Sequence, residues 1–292
     1  MQLRLLLALL PALFSTIANA DPAKWEKSIA AFEQADRDHP PEKGGIIFTG
    51  SSTIARWRAV ARAAGVKLRP LAKDDGFDLF YIGTPCLAGN PGLYLSAGIH
   101  GDEPAAPEGL LRWAEKNVAR LARMPLLIFP CLNPWGLRNN VRTDSRGRDL
   151  NRMFHLDTHP VVKAVRKITR PHLFKIALAM HEDYDAQGIY LYEVARGQRG
   201  FGEALLLSAE RILPRDPRRT IDISTAKRGL IRRRISLARF AEMGHPEAIW
   251  LHLFHSENTF TFETPSEAAL ELRVRAHMAV IGECVKRVLQ RS

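Results

Sequence analysis

Apolar and polar positions along the 292 residues follow two rhythms. Short continuous apolar runs recur at Gly45–Thr49, Leu93–Ile99, Leu126–Leu132, Phe174–Met180, Ile189–Val194 and Thr259–Phe262. Runs of this length between turn residues predict strands buried on both faces. Helical spacing lies between them. Ala105–Arg123 puts Leu110, Ala114, Val118 and Leu121 on one face, and Glu267–Leu289 does the same with Leu270, Val274, Met278, Ile281 and Val285. Ser266 is placed to cap that last helix. Residues 22–45 are charged and end in Pro40-Pro41 and Gly44-Gly45, which predicts a helix followed by a turn. Strands alternating with helices of this size predict an α/β fold, a three-layer α/β/α sandwich around a mixed, mostly parallel twisted sheet.

Four predicted strands run directly into polar residues of catalytic type. Leu93–Ile99 ends at His100, Leu126–Leu132 at Asn133-Pro134, Phe174–Met180 at His181 and Thr259–Phe262 at Glu263. In open α/β sheets, ligands bind beyond the carboxyl ends of the strands, so residues far apart in sequence can meet in one crevice. His100-x-x-Glu103 pairs an imidazole with a carboxylate, a donor combination that zinc accepts. His181 supplies a third donor from another strand, and Glu263 a carboxylate able to carry a proton. Glu182, Asp183 and Asp185 follow His181 as acceptors that orient a ligating ring or as loop acids; Asp185 reads as a loop acid. The segment Asn133–Phe154 carries Arg138, Arg142, Arg146, Arg148 and Arg152, whose guanidinium groups suit carboxylates and developing oxyanions. A second H-x-x-E at His39 and Glu42 contains two prolines and reads as loop. His252-x-x-His255, set among Trp250, Leu251, Leu253 and Phe254, reads as a structural pair.

Composition narrows the setting. The first twenty residues have a basic start at Arg4, an apolar stretch Leu5–Phe14 and a small-residue site at Ala18-Asn19-Ala20, which predicts a signal peptide and an exported chain, periplasmic or secreted. No run is long enough to anchor the chain in a membrane. The formal charge of +11 is concentrated in clusters such as Arg215–Arg219 and Arg232-Arg233-Arg234, a solvated basic face or a site for an anionic partner such as cell-wall polymer or an acidic peptide. No nucleic-acid-binding module is recognisable. Three cysteines, Cys86, Cys131 and Cys284, leave at least one thiol free, and the absence of C-x-x-C excludes thiolate zinc sites.

Taken together, His100-x-x-Glu103, Asn133-Pro134-x-Gly136, Asp149-Leu150-Asn151-Arg152, His181 and Glu263 resemble the zinc carboxypeptidase family of the carboxypeptidase A type, closest to its small bacterial members, from about Gly76 to the C-terminus. The resemblance implies one zinc ion held by His100, Glu103 and His181, with Glu263 as general base and then acid. It implies that Asn151 and Arg152 clamp a substrate carboxylate and that Arg142 polarises the scissile carbonyl. The family's substrate-covering tyrosine has no evident counterpart, Tyr190 and Tyr192 reading as strand residues, and the segment that tunes side-chain preference is unrecognisable. Residues 22–58 are similar to the opening of a secreted SGNH (GDSL-like) hydrolase, where Gly-Ser-Ser would place a nucleophile at Ser51 or Ser52. The later Gly-x-Asn-Asp and Asp-x-x-His of that fold are missing; Asp36-x-x-His39 precedes the serine. The expected organisation is a signal peptide (1–20), a leader segment (21–60) and a catalytic domain (61–292).

The expected activity is zinc-dependent hydrolysis of an amide beside a free carboxylate in peptides, cell-wall peptides among them. The same chemistry would serve a deacylase or amidase acting on N-acyl amino acids or muropeptides. A non-catalytic cell-wall-binding protein is the remaining reading.

Overall fold

Strands β3 (Gly92–Ser96), β4 (Leu126–Phe129), β5 (Phe174–Asp183) and β10 (Ser256–Pro265) run parallel at the centre of an eight-stranded sheet. The computed structural model describes residues 50–196, 200–233, 235 and 244–290. The sheet order is β1-β2-β4-β3-β5-β10-β6-β9, completed by β1 (Arg69–Asp74), β2 (Phe77–Gly83), β6 (Tyr190–Ala195) and β9 (Leu230–Arg232). β2 lies antiparallel to β4, and β6 antiparallel to β10, while β7 (Thr220–Ile221) and β8 (Ser224–Thr225) form a separate two-stranded antiparallel pair. The mixed, mostly parallel sheet expected from the sequence is thus present.

Side chains leave a strand to alternate faces, and the central strands fill two cores accordingly. Leu93, Leu95, Leu126, Ile128, Ile176 and Leu178 enter one core. Tyr94, Leu127, Phe129, Phe174 and Ala177 enter the other. Helices α1 (Gly50–Ala63), α2 (Ala105–Lys116), α6 (Gly202–Ala209) and α8 (Leu270–Leu289) cover the first face through residues such as Trp57, Leu110, Leu205 and Ile281. Helices α5 (Pro160–Thr169) and α7 (Glu247–Phe254) cover the second through Val161, Val165, Trp250 and Leu251. Three layers result.

Several boundaries differ from expectation. The run Gly45–Thr49, the signal peptide, Asp36 and His39 lie outside the described residues. Ser51 and Ser52 fall in the first turn of α1, which runs across residue 60 and buries Trp57 completely. The predicted helix Ala105–Arg123 stops at Lys116, where Asn117 leaves helical geometry, and resumes as the short α3 (Val118–Leu121). Ser266 does not cap α8: the helix begins at Leu270 after Ala269, and the Ser266 backbone N–H donates to Asp183 O at 3.0 Å. Strands β5 and β10 extend past their predicted ends, so His181 and Glu263 sit within strands. The β1–β2 hairpin was not anticipated.

Candidate active site

His100, Glu103 and His181 come together at the carboxyl end of the sheet. The chain leaves β3 through Gly98 (φ +60°), where a Cβ would lie 2.9 Å from both Cys131 Sγ and a Pro107 side-chain atom. Gly101 then packs against the backbone of Gly136 so closely that no side chain fits between them. Asn133 explains the motif that follows β4. Its Oδ1 accepts the Gly136 N–H at 2.8 Å and caps α4 (Pro134–Asn139), while its Nδ2 donates to Thr143 O at 3.0 Å and Arg142 O at 3.3 Å. One side chain therefore joins the ligand loop's support to the arginine-bearing segment.

His100 Nδ1 lies 2.5 Å from Glu103 Oε1, and His181 Nδ1 lies 2.9 Å from Glu103 Oε2. The two Nδ1 atoms are 3.2 Å apart. All three side chains are almost wholly buried. On the far side of the ring, His100 Nε2–H donates to Asp149 Oδ1 at 3.2 Å, which leaves the Nδ1 lone pair facing Glu103. Two imidazole nitrogens and a carboxylate converging in a buried place call for a shared positive charge at their centre. Burial opposes ionisation of Glu103, but His181 and then His100 outweigh it and hold its carboxyl below the usual range. Burial likewise opposes charge on His100, and Glu103 overrides it. The donor set suits zinc.

Glu263 pairs with His181 across the parallel β5–β10 ladder, and directly paired residues project to the same face. Burial raises the Glu263 carboxyl above its ordinary value, against the opposing pull of His181. Asp149 accepts the Asn151 N–H at 2.8 Å to cap the turn Leu150–Arg152, and its Oδ2 accepts Arg142 Nε–H at 3.2 Å. Burial favours the neutral form of Asp149; contacts with His100, Arg142 and Arg152 reverse this and keep it ionised. The Arg142 guanidinium reaches 3.8 Å from Glu103 Oε1 and remains 44 % exposed. Asn151 is buried, its Oδ1 accepting the Glu247 backbone N–H at 2.9 Å, and Arg152 Nη1 donates to Asn151 O. Arg142 and Asp149 thus contact the cluster directly, and Asn151 and Arg152 follow Asp149 in the chain.

Other residues near the site were left open by the sequence, or, like Glu247 and Tyr184, were not singled out there. Glu182 is buried, accepts the Ala105 N–H at 2.5 Å and pairs with Arg273. It orients a helix end rather than a ligating ring. Asp183 accepts the Tyr190 hydroxyl at 2.8 Å, and Asp185 is an exposed turn residue. Glu247 is a buried acid bonded to the hydroxyls of Tyr94 (2.6 Å) and Ser96 (2.7 Å). Tyr184 stands half exposed near Asp102; burial and that acid push its phenol up to about 12. Tyr190 and Tyr192 lie in β6, as expected.

A second cluster of metal-ligand type, Asp74, Asp144 and His159, is a hydrogen-bonded latch. His159 Nδ1 accepts the Val161 N–H at 3.2 Å, so the ring proton sits on Nε2 and points to Asp144 at 3.2 Å. That nitrogen has no lone pair to offer an ion. His255 packs on Trp250 and its Nδ1 lies 3.1 Å from His172 O, a structural role like that expected of the His252 pair. Cys86, Cys131 and Cys284 are free thiols.

Known proteins share the fold and part of the sequence pattern. Residues 90–179, about a third of the chain, match the model of the Succinylglutamate desuccinylase/Aspartoacylase catalytic domain, a stretch that includes His100, Glu103, Asn151 and Arg152 and stops just before His181. No curated protein matches. Among solved structures, a candidate metallopeptidase from Shewanella amazonensis SB2B aligns with a TM-score of 0.71 at 21% identity, covering 81% of this chain and 92% of that one. A metallo-carboxypeptidase from Burkholderia cenocepacia aligns at 0.60 and 18% identity, covering 82% and 70%. The murein-tripeptide amidase of Escherichia coli O157 aligns at 0.54 and 15% identity, covering 78% and 92%. The chain has the zinc carboxypeptidase-like α/β/α fold and carries, across the segment that holds His100 and Glu103, the sequence pattern of the Succinylglutamate desuccinylase/Aspartoacylase catalytic domain.

Proposed function

We propose that this protein is a zinc-dependent carboxypeptidase-type hydrolase that cleaves an amide bond beside a free carboxylate. The observation that carries this is the buried His100–Glu103–His181 cluster with Glu263 paired to His181 on the next strand. His100 Nδ1, Glu103 and His181 Nδ1 would hold one zinc ion. Zinc supplies Lewis acidity toward a carbonyl and toward water when bound.

The remaining work falls to the chain. With its Oδ1 engaged by Glu247, Asn151 turns its N–H₂ outward, and together with Arg152 it offers donors for a substrate carboxylate. Arg142, fixed by Asp149 but nearly half exposed, supplies positive charge where the scissile carbonyl oxygen gains negative charge. Glu263 takes a proton from the attacking water and returns it to the leaving amine, a task suited to a carboxyl whose pKa burial has raised.

Residues 1–20 support export, and an exported bacterial chain of this chemistry would meet cell-wall peptides, the substrate class of the amidase that shares its fold. Zinc analysis of the mature protein with a mass-spectrometric digest of a peptide library tests the proposal. One metal per chain and trimming confined to C-terminal residues are expected; internal cleavage, or a metal-free active protein, overturns it.

A second reading, an N-acyl amino acid deacylase, draws on the family model matched over residues 90–179. It shares every residue above. Amidating the substrate C-terminus abolishes turnover of peptides in the first case, whereas rapid release of small acids from N-acyl amino acids with no action on peptides favours the second.

A further inference from the structure

A cleft of about 790 Å³ opens on the β6–β9 side of the sheet, between residues 210–219 and 225–228. Five cationic side chains line it and only two acidic ones, Glu210 and Asp216. Two of the cations are fixed in place. Arg218 grips Asp216 at 2.6 Å, and Arg215 lies between Glu203 (2.9 Å) and Glu210 (2.6 Å) with its side chain 6 % exposed. Even so, Arg215 Nη2 has no hydrogen-bond partner among the described residues. Arg219, Lys227 and Arg228 are exposed, and none forms an ion pair among the described residues.

Concentrating like charges around a concavity costs stability, and the concavity focuses their field outward. Arg228 (φ +49°) and Gly229 (φ +76°) are the central residues of a tight hairpin turn closed by Lys227 and Leu230, which places Arg228 at the cleft. A solvated basic face does not need an enclosed guanidinium with a spare donor.

The cleft lies beside the strand end nearest Glu263. Ile189 bridges to Arg215, and the next residue, Tyr190, pairs with Glu263. Two strand spacings therefore separate Arg215 from the Glu263 strand, roughly 10 Å. Arg218 Nη2 lies 3.8 Å from Asp183 Oδ2, the oxygen that accepts the Tyr190 hydroxyl, so the two regions are joined by direct contacts.

We propose that this cleft is a substrate subsite for an anionic group, a carboxylate or phosphate, borne roughly 10 Å from the scissile bond. In an extended peptide that distance is about three residues. The assignment rests on the hydrolase function proposed above and adds that the preferred substrates are acidic away from the clamped carboxylate. Arg219 and Lys227 provide the mobile charges, and Arg215 the fixed donor.

The test compares peptides in which one Glu or phosphoserine is moved stepwise from the scissile bond, each beside its Gln or Ser counterpart. The acidic member at two to four residues should have a kcat/KM at least tenfold higher, and the ratio should shrink with added salt. In R219Q/K227Q the ratio should fall toward one, and in R219E/K227E it should invert. Equal rates for acidic and neutral members in the unmodified enzyme, or a preference untouched by these substitutions, overturns the proposal. A zinc-loaded protein that cleaves no peptide would sink the hydrolase function instead. Calorimetry with inorganic phosphate then decides the cleft by itself: binding to the unmodified chain and to R152Q, lost in R219Q/K227Q, upholds it, and no binding or binding indifferent to Arg219 and Lys227 refutes it.

Discussion

The carboxylate of Glu182, adjacent in sequence to His181, accepts the backbone N–H of Ala105, two residues after Glu103. It also pairs with Arg273 from α8. The two segments that carry the proposed metal ligands share no strand, and one buried acid at a helix N-terminus, where negative charge is favoured, fastens them together. Replacing Glu182 with Gln keeps an acceptor for Ala105 but leaves Arg273 without its counter-charge in a largely buried place. A stability loss of about 3 kcal/mol is expected from an unpaired buried charge. Zinc affinity should drop about tenfold as the ligand segments loosen. Urea unfolding and chelator competition measure the two effects; unchanged zinc affinity would show that the fastening does not reach the ligands.

Asp149 acts on His100 from the opposite side of the ring. Asp149→Asn removes the charged acceptor for Nε2–H and lets the imidazole tautomer and tilt drift. Partners of this kind are worth about 10- to 100-fold in metal affinity. Chelator competition on D149N should therefore read a weaker site in a protein that remains folded by circular dichroism. Native affinity in D149N would refute the orienting role.

Glu263 should separate metal binding from turnover. Glu263→Gln preserves shape and removes the proton carrier. Metal content by atomic emission should stay at one per chain, while kcat falls by roughly 10³-fold or more. Turnover within tenfold of the unmodified enzyme rules out Glu263 as the base.

His277 is not one of the proposed ligands, and it predicts a pH effect on stability. It is fully buried beside Phe262, with its Nε2 3.3 Å from Thr264 Oγ1 and no partner for Nδ1 among the described residues. Burial pushes its pKa down to about 3. The unfolded chain takes up a proton near pH 6.5 and the folded chain does not, so stability declines as pH falls from about 6.5 toward 3. At pH 5 this costs about 2 kcal/mol relative to pH 7.5. His277→Gln removes that part of the pH slope. Urea titrations of both proteins at pH 7.5 and 5.0 check it: parallel losses of stability would be the contrary outcome.

The strands that carry the site were readable because both their faces are covered. β3 and β4 are buried at every position, and a strand with no solvent-facing side shows up in sequence as an unbroken apolar run. The hairpin β1–β2 escaped notice because RPLAKD lies at an exposed edge and mixes charge with apolar residues. Its turn, Asp75-Gly76 with φ of +48° and +82°, was a readable hairpin signal. Ser266 misled as a cap because its N–H is drawn to Asp183, a tertiary contact no local pattern encodes. Glu247 was invisible for a related reason: an acid in the first turn of a helix ordinarily answers the helix dipole in solvent. Here Tyr94 and Ser96, some 150 positions away, take it into the core. Asp149 belongs to a legible motif, yet its partner His100 could be identified only from the assembled rim.

The backbone-to-backbone meeting of Gly101 and Gly136 leaves one bank of the active-site valley with no slack. An insertion or a larger residue there would pull the ligand loop off its support before it could reshape the space around a substrate. Change in what this scaffold recognises is therefore channelled to the short hairpins and turns between residues 210 and 232, where length and charge can vary without touching the Gly101–Gly136 contact.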